Sequence, residues 1–357
     1  MTDTAELINT DEHIQNFCKI SAYLADFVYK RPAADDHVMI VLKDAAGKSM
    51  IHNGFFTEQN ILSALKALST MLEKEKLEKW VCFYKSQLET NRNPARVAVV
   101  MAGNIPLVGF HDFLCVLFSG NIFIGKLSQQ DQFLLPAIAE ILFETDPRYR
   151  QLIHFTRETL PGFDVVIATG SNNTSRYFEY YFGKYPHIIR KNRNSIAVLT
   201  GDETDEQLKR LAEDIFSYFG LGCRNISKIF FHTSCNIGKF INLMQPYAWI
   251  ADNNKYKNNY DYYKAIFLLD NRIITDGGFF ILLEEKSLYS PVSVINYEKY
   301  SDIGTVENFI NEHAVDIQCV VGATPSIPDM VGFGKAQHPE LFDYADNIDT
   351  MKFLLKL

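Results

Sequence analysis

The six cysteines include no CxxC pair and no His/Cys cluster at metal-ligand spacing, so neither a zinc site nor a disulfide framework is suggested. Cys18, Cys82, Cys115, Cys223, Cys235 and Cys319 therefore read as reduced thiols, as expected of a cytoplasmic protein. Long apolar runs are missing as well, and none approaches the ~18 residues of a membrane span. The opening MTDTAELINTDEH is acidic and polar, without the basic and apolar regions of a signal peptide. Positive charge is outweighed, with 35 Lys and Arg against 43 Asp and Glu, a net charge of -8 and a pI near 5.6. Binding to a phosphate backbone is driven by clustered Lys and Arg, which argues against nucleic acid as a partner. Internal repeats, low-complexity tracts and long linkers are absent from the sequence.

What is present suits two well-buried domains: 357 residues, 47% of them hydrophobic. Apolar residues at helical spacing predict helices over 3–30 and 57–90, and 91–95 breaks the pattern. From there short β-branched runs alternate with helical segments: ARVAVVMAG, GNIFIGKLS, LIHFT, DVVIATG and HIIRKN. Such alternation implies an α/β fold with a doubly wound, mostly parallel sheet and helices on both faces. A second α/β series runs through SIAVLTG, SKIFFH, FFILLEE, VSVINY and IQCVVGA. The expected division is 1–94 as a helical extension of the first sheet domain, 95–196 as a nucleotide-binding domain, and 197–329 as a second α/β domain. Residues 330–357 are expected to return to the first domain or to a partner subunit.

One turn invites chemistry. In FSYFGLGCRNISKIFFH, residues 216–232, Cys223 follows Gly220 and Gly222 in a turn between a helix and a strand, and Arg224 would favour its thiolate. The other five cysteines read as small buried hydrophobes. Upstream, Asn104 ends one strand and Lys126 and Ser128 end another, where α/β sheets bind ligands. Gly170 and Ser171 form a strand-to-helix turn, an anion site with Ser171 or Asn172 as cap. His111 reads either as a proton donor or, more in keeping with its helix, as a structural histidine. The tyrosines of NNYDYYKAIF, 258–267, read as core or subunit contact rather than as an acyl channel.

In order, AGNIPLVG (102–109), GNIFIGKLS (120–128), ATGS (168–171), RKNRNSIAVL (190–199) and FGLGCRNISKIFF (219–231) resemble the aldehyde dehydrogenase superfamily. They are most similar to its acyl-CoA reductase branch, the LuxC-like fatty-acid reductases. YSPVSVI and the FGKAQHPELF tail are weaker echoes, and the first 90 residues carry none of the likeness. The resemblance implies an aldehyde dehydrogenase-like fold with a cofactor domain, a catalytic domain and the active site in a cleft between them. It makes Cys223 the nucleophile, and Asn104, with the Cys223 N–H, the donor to the oxyanion. Lys126 would meet the adenosine ribose of the nicotinamide cofactor, and Gly170 and Ser171 its pyrophosphate.

Departures from the hydrolytic relatives sharpen the expectation. Arg190 or Lys191 stands where they carry a water-activating glutamate, which favours reduction of an activated acyl group over oxidation to an acid. Gln129 replaces a ribose-binding glutamate, so Lys126, Ser128 and Gln129 could hold a 2′-phosphate, and NADPH is expected over NADH. Ser287 stands at a second ribose-binding glutamate, with Glu284 and Glu285 out of register. The implied activity is NADPH-dependent reduction of an acyl-CoA thioester to an aldehyde, without a metal, in a homo-oligomer for which MKFLLKL is a candidate contact. An acyl-activating partner protein would supply the donor. Acyl-phosphate or acyl-AMP as donor, or an acyl-carrying role without hydride transfer, are the alternatives.

Overall fold

In the computed structural model, residues 8–29, 36–88 and 93–357 are described, so positions 3–7, 30 and 89–90 of the two predicted helices lie outside the described residues. Four helices come first: α1 (Thr10–Tyr29), α2 (His37–His52), α3 (Glu58–Met71) and α4 (Lys74–Leu88). The expected helix at 57–90 is thus two helices, and α2 was not foreseen. Side chains define the starts of α2 and α3, where Asp36 accepts from the Val38 N–H and Thr57 from the Asn60 N–H.

The first sheet follows, with β1 (Arg96–Val100), α5 (Phe110–Phe118), β2 (Ile122–Lys126), α6 (Leu134–Thr145), α7 (Tyr149–Leu152), β3 (Ile153–Thr156), β4 (Val165–Thr169), α8 (Asn172–Phe182) and β5 (His187–Arg190). Its order is β3-β2-β1-β4-β5, all parallel. Alternate side chains serve opposite faces. Val97, Val99, Val165 and Ile167 join the large core beneath α1–α6, while Ala98, Val166 and Ala168 meet Leu160, Phe163 and the α8 residues Phe178 and Phe182. Both faces are covered, which is why these strands read as continuous apolar runs.

The second series comprises β6 (Asn194–Leu199), α9 (Asp205–Phe216), β7 (Ile226–His232), α10 (Ile237–Met244), α11 (Asn254–Leu269), β8 (Ile274–Asp276), β9 (Ile281–Glu284), β10 (Val294–Tyr300), α12 (Ile303–Glu312) and β11 (Ile317–Val321). Its sheet runs β11-β6-β7-β10-β9-β8, parallel except for the short edge strand β8. A last helix, α13 (Thr350–Leu354), closes the described chain.

Two compact units result, residues 1–191 with 340–357, and residues 192–339. The limits differ from those expected at 196/197 and 329/330. Already at Asn194 the chain pairs with β11, and Gly334 and Ala336 are bonded to Asp214 of α9, so both stretches belong to the second unit. By contrast Leu341, Tyr344, Met351, Leu354 and Leu355 are buried in the core of the first unit. No described helix is long and apolar enough to cross a membrane, and no group of three or more His, Cys, Asp or Glu among the described residues could hold a metal ion.

Candidate active site

In the first unit the motif residues gather along the C-terminal ends of three adjacent strands, β2, β1 and β4. Val100 pairs with Lys126, and the chain beyond β1 folds directly onto the chain beyond β2. A Cβ on Gly103 would collide with Ser128 Oγ and stand 2.8 Å from Ser128 Cβ, so only glycine allows this approach. Asn104 follows, half-buried. Three residues on, Leu107 has φ 62°, a left-handed conformation that costs a non-glycine residue ~1–3 kcal/mol. Its N–H donates to Asp131 Oδ2 at 2.7 Å. The Asp131 N–H in turn donates to the Ser128 carbonyl at 3.2 Å, while Asp131 Oδ1 is buried with no hydrogen-bond partner among the described residues. Burial pushes this carboxyl up to about 6 against the opposing pull of the Leu107 N–H. Gln129 is exposed beside them.

At the end of β4, Ser171 caps α8 by accepting the Thr174 N–H at 3.2 Å. Gly170 is packed closely, since a Cβ there would stand 2.9 Å from the Phe178 ring. The first turn of a helix and its dipole suit an anion, and this end of α8 presents both. A separate cavity of about 600 Å³ lies at the outer side of the sheet, against Leu127, Phe155, Arg157 and the helices α2 and α6.

Arg190, which with Lys191 was expected in place of the glutamate of hydrolytic relatives, is 4% exposed. Its Nη1 and Nη2 donate to the Asp112 carboxylate at 2.5 and 2.9 Å, and Nη2 also donates to Thr350 Oγ1 at 2.8 Å. Burial opposes the charge, yet Asp112 outweighs it and holds the Arg190 pKa above its ordinary value. His111 is half-buried: its Nε2 lies 3.0 Å from the Leu341 carbonyl, its ring packs on Trp80 and Tyr344, and burial lowers its pKa. The Leu341 contact fits the structural reading of this histidine.

The second unit carries Cys223 in a turn under strain. Tyr218, Phe219 and Gly220 have φ of 52°, 59° and 74°, three left-handed residues in a row. Asn225 holds them: its Nδ2 donates to the carbonyls of Asp214 (3.0 Å), Ile215 (3.3 Å) and Ser217 (2.9 Å), and its Oδ1 accepts the Gly222 N–H at 2.8 Å. The Cys223 carbonyl accepts from Ser195 Oγ at 2.9 Å, leaving the half-buried thiol on a fixed backbone. Arg224, expected to favour the thiolate, donates through Nε to the Ala336 carbonyl at 2.5 Å. Asp214, fully buried, receives the N–H groups of Gly334 (2.6 Å) and Ala336 (2.9 Å), so the FGKAQHPE stretch is fastened beside the cysteine turn.

Sequence reasoning passed over Lys228. It is completely buried, pairs with Glu298 at 2.7 Å and donates to the carbonyls of Glu285 (2.7 Å) and Lys286 (3.1 Å). These bonds fix the loop that presents the exposed Ser287. A lysine inside the apolar strand ISKIFFH was the available signal.

Residues 45–239, more than half of the chain, match the family model for "Acyl-CoA reductase (LuxC)". The match begins well before the motifs and takes in α3 and α4, where no likeness was expected. No curated protein matches the sequence. Among solved structures, aldehyde dehydrogenase 21 from Physcomitrella patens, in complex with succinate, superposes with a TM-score of 0.63 at 12% identity, over 97% of this chain and 88% of that one. An aldehyde dehydrogenase from Bacillus cereus in complex with NAD+ gives 0.58 at 13% identity, over 89% and 72%. One from Mycobacterium tuberculosis, also with NAD+, gives 0.57 at 14% identity, over 88% and 74%. Likeness at such identity establishes the aldehyde dehydrogenase fold.

Proposed function

The chain belongs to the LuxC family of acyl-CoA reductases, and from that premise we propose that it reduces an acyl-CoA thioester to an aldehyde with NADPH, through an acyl-cysteine on Cys223. The observation that supports this reading is the burial of Arg190 against Asp112, Arg190 being one of the two residues, with Lys191, that the resemblance sets where hydrolytic relatives carry the water-activating glutamate. A guanidinium locked in an ion pair cannot take a proton from water. An acyl-cysteine therefore lacks a hydrolytic base at this position and would persist until it is reduced.

In the first step the Cys223 thiolate forms a bond to the thioester carbonyl carbon, and the carbon–sulfur bond to CoA breaks, CoA leaving as a thiol once protonated. The family resemblance assigns Asn104 as the amide donor to the oxygen that gains charge in this step; losing one such donor costs ~100-fold to 1,000-fold in rate. When bound, NADPH supplies the hydride that converts the acyl carbon to the aldehyde level, and release of the aldehyde returns Cys223 as a thiolate.

The residues present suit such a cofactor. Glycines 103 and 170 leave no room for a Cβ, α8 offers its N-terminus to the pyrophosphate, and Lys126, Ser128 and the neutral Gln129 would hold the ribose and its 2′-phosphate. A carboxylate in place of Gln129 would repel that phosphate.

The test follows NADPH absorbance with acyl-CoA thioesters of increasing chain length, in parallel with NADH, and with Cys223→Ser as control. NADPH loss with aldehyde formed, abolished in the variant, establishes the activity. Stable acylation of Cys223 without NADPH consumption would exclude it in favour of an acyl-carrying role.

A further inference from the structure

We propose that Asp131 is the positioning residue for Asn104: its carboxylate, acting through the Leu107 N–H, holds the 103–107 loop against the end of β2. The proposal rests on the reading of Asn104 as a donor to the reacting carbonyl. Both ends of the loop are fixed by the same short turn. Gly103 is wedged against Ser128, and Leu107 is bonded to Asp131, whose own N–H donates to the Ser128 carbonyl. Only Asn104, Ile105 and Pro106 lie between, and the proline ring fixes its own φ. The backbone that carries Asn104 is therefore held at both ends by these two anchors.

The energetics point the same way. Leucine avoids the left-handed conformation that Leu107 adopts, and such residues persist where neighbours over-determine them, typically at functional sites. Asp131 is a poor choice for stability alone. One oxygen is buried without a partner, and among the described residues it has no ion-pair partner to offset the loss of hydration. A carboxylate whose one bond is spent on a strained backbone N–H acts through that N–H.

The experiment compares Asn104→Ala, Asp131→Ala, Asp131→Asn and the double variant Asp131→Ala with Leu107→Gly. It uses the full chain and the acyl-CoA that the wild type turns over best, and reads kcat, KM for NADPH and melting temperature. Asn104→Ala tests the underlying reading and should lower kcat ~100-fold or more. Asp131→Ala should lower kcat ~10-fold or more with little change in KM, since a small misplacement of a catalytic group suffices. Asp131→Asn keeps an acceptor for the Leu107 N–H and should retain most of the wild-type kcat. Glycine at 107 takes the left-handed conformation freely, so the double variant should regain much of what Asp131→Ala loses. A crippled Asn104→Ala beside an unimpaired Asp131→Ala overturns the inference alone, and so does a folded double variant that regains nothing. An unimpaired Asn104→Ala overturns the reading beneath it. If Asp131→Ala does not fold, Asp131→Asn and the double variant decide: activity in both supports the proposal, and inactivity in either folded protein overturns it.

Discussion

Arg190 and Asp112 form an ion pair that is almost completely closed to water, with Nη1 2.5 Å from Oδ2 and Nη2 2.9 Å from Oδ1. Through Nη2 and Thr350 the pair ties β5 and α5 to α13. Arg190→Ala would strand the Asp112 charge and cost ~3–5 kcal/mol, whereas Arg190→Met with Asp112→Leu removes both charges and should cost far less. Urea denaturation of the three proteins measures the difference. Arg190→Glu would set two carboxylates against each other and destabilise the unit; it should not create acyl-CoA hydrolysis, which a release assay for free acid would check.

Tyr344 is the second fastening of the same tail. Its hydroxyl accepts from Trp80 Nε1 at 2.8 Å and lies 2.8 Å from the Tyr84 hydroxyl, which donates to Asp349 at 2.9 Å. Tyr344→Phe leaves the buried indole N–H unpaired, at a cost of ~1–3 kcal/mol. A thermal melt should show a fall of several degrees.

Two buried groups should give stability opposite dependences on pH. Burial lowers His13 to about 4, with Tyr149 Oη 2.8 Å from its Nδ1. Between the ordinary histidine value and about 4 the unfolded chain binds a proton that the folded one refuses, so stability is lost as pH falls through that window. For Asp214, which burial raises to about 6, the folded state keeps a proton that the unfolded chain has released. Its stabilisation is therefore greatest below the ordinary aspartate value and is lost as pH rises through 6. Each effect amounts to about 3 kcal/mol at most. Denaturation midpoints from pH 4 to 7.5 should show the acid-side loss reduced in His13→Phe and the opposing slope reduced in Asp214→Asn.

Gly103→Ala tests the closest backbone approach in the site. The added methyl must push the Asn104 loop off Ser128, and a displacement of about 1 Å can cost ~100-fold in rate. The expected result is a fall in kcat far larger than any fall in melting temperature.

Strands buried on both faces announce themselves as apolar runs, which is why β1, β2 and β4 were legible. The break between α3 and α4 was not, because Leu72 and Glu73 include no glycine or proline. Helix α2 was hidden by its weak sidedness, with Ile40 and Ile51 facing solvent. The motif residues could be placed at strand ends in advance, but their supports could not. Asp214 reaches Gly334, Asp131 reaches Leu107, and Lys228 reaches the Glu285 carbonyl; each acts on backbone atoms that are remote in sequence. A fainter clue was available for one support: Asp112 is the lone carboxylate of FHDFLCVLF, and the apolar strand HIIR ends in Arg190.

Because residues 340–357 belong to the first unit, the second is an insertion within it. During synthesis, α5 and β5 leave the ribosome long before Leu341, Tyr344 and Thr350 exist to cover them. At 5–20 residues per second the interval is roughly 7 to 30 s. For that time the core of the first unit lacks the apolar residues of the tail, and Arg190 lacks its bond to Thr350. Completion of the first unit is thus a late event in translation that can occur only after the unit carrying Cys223 has been made.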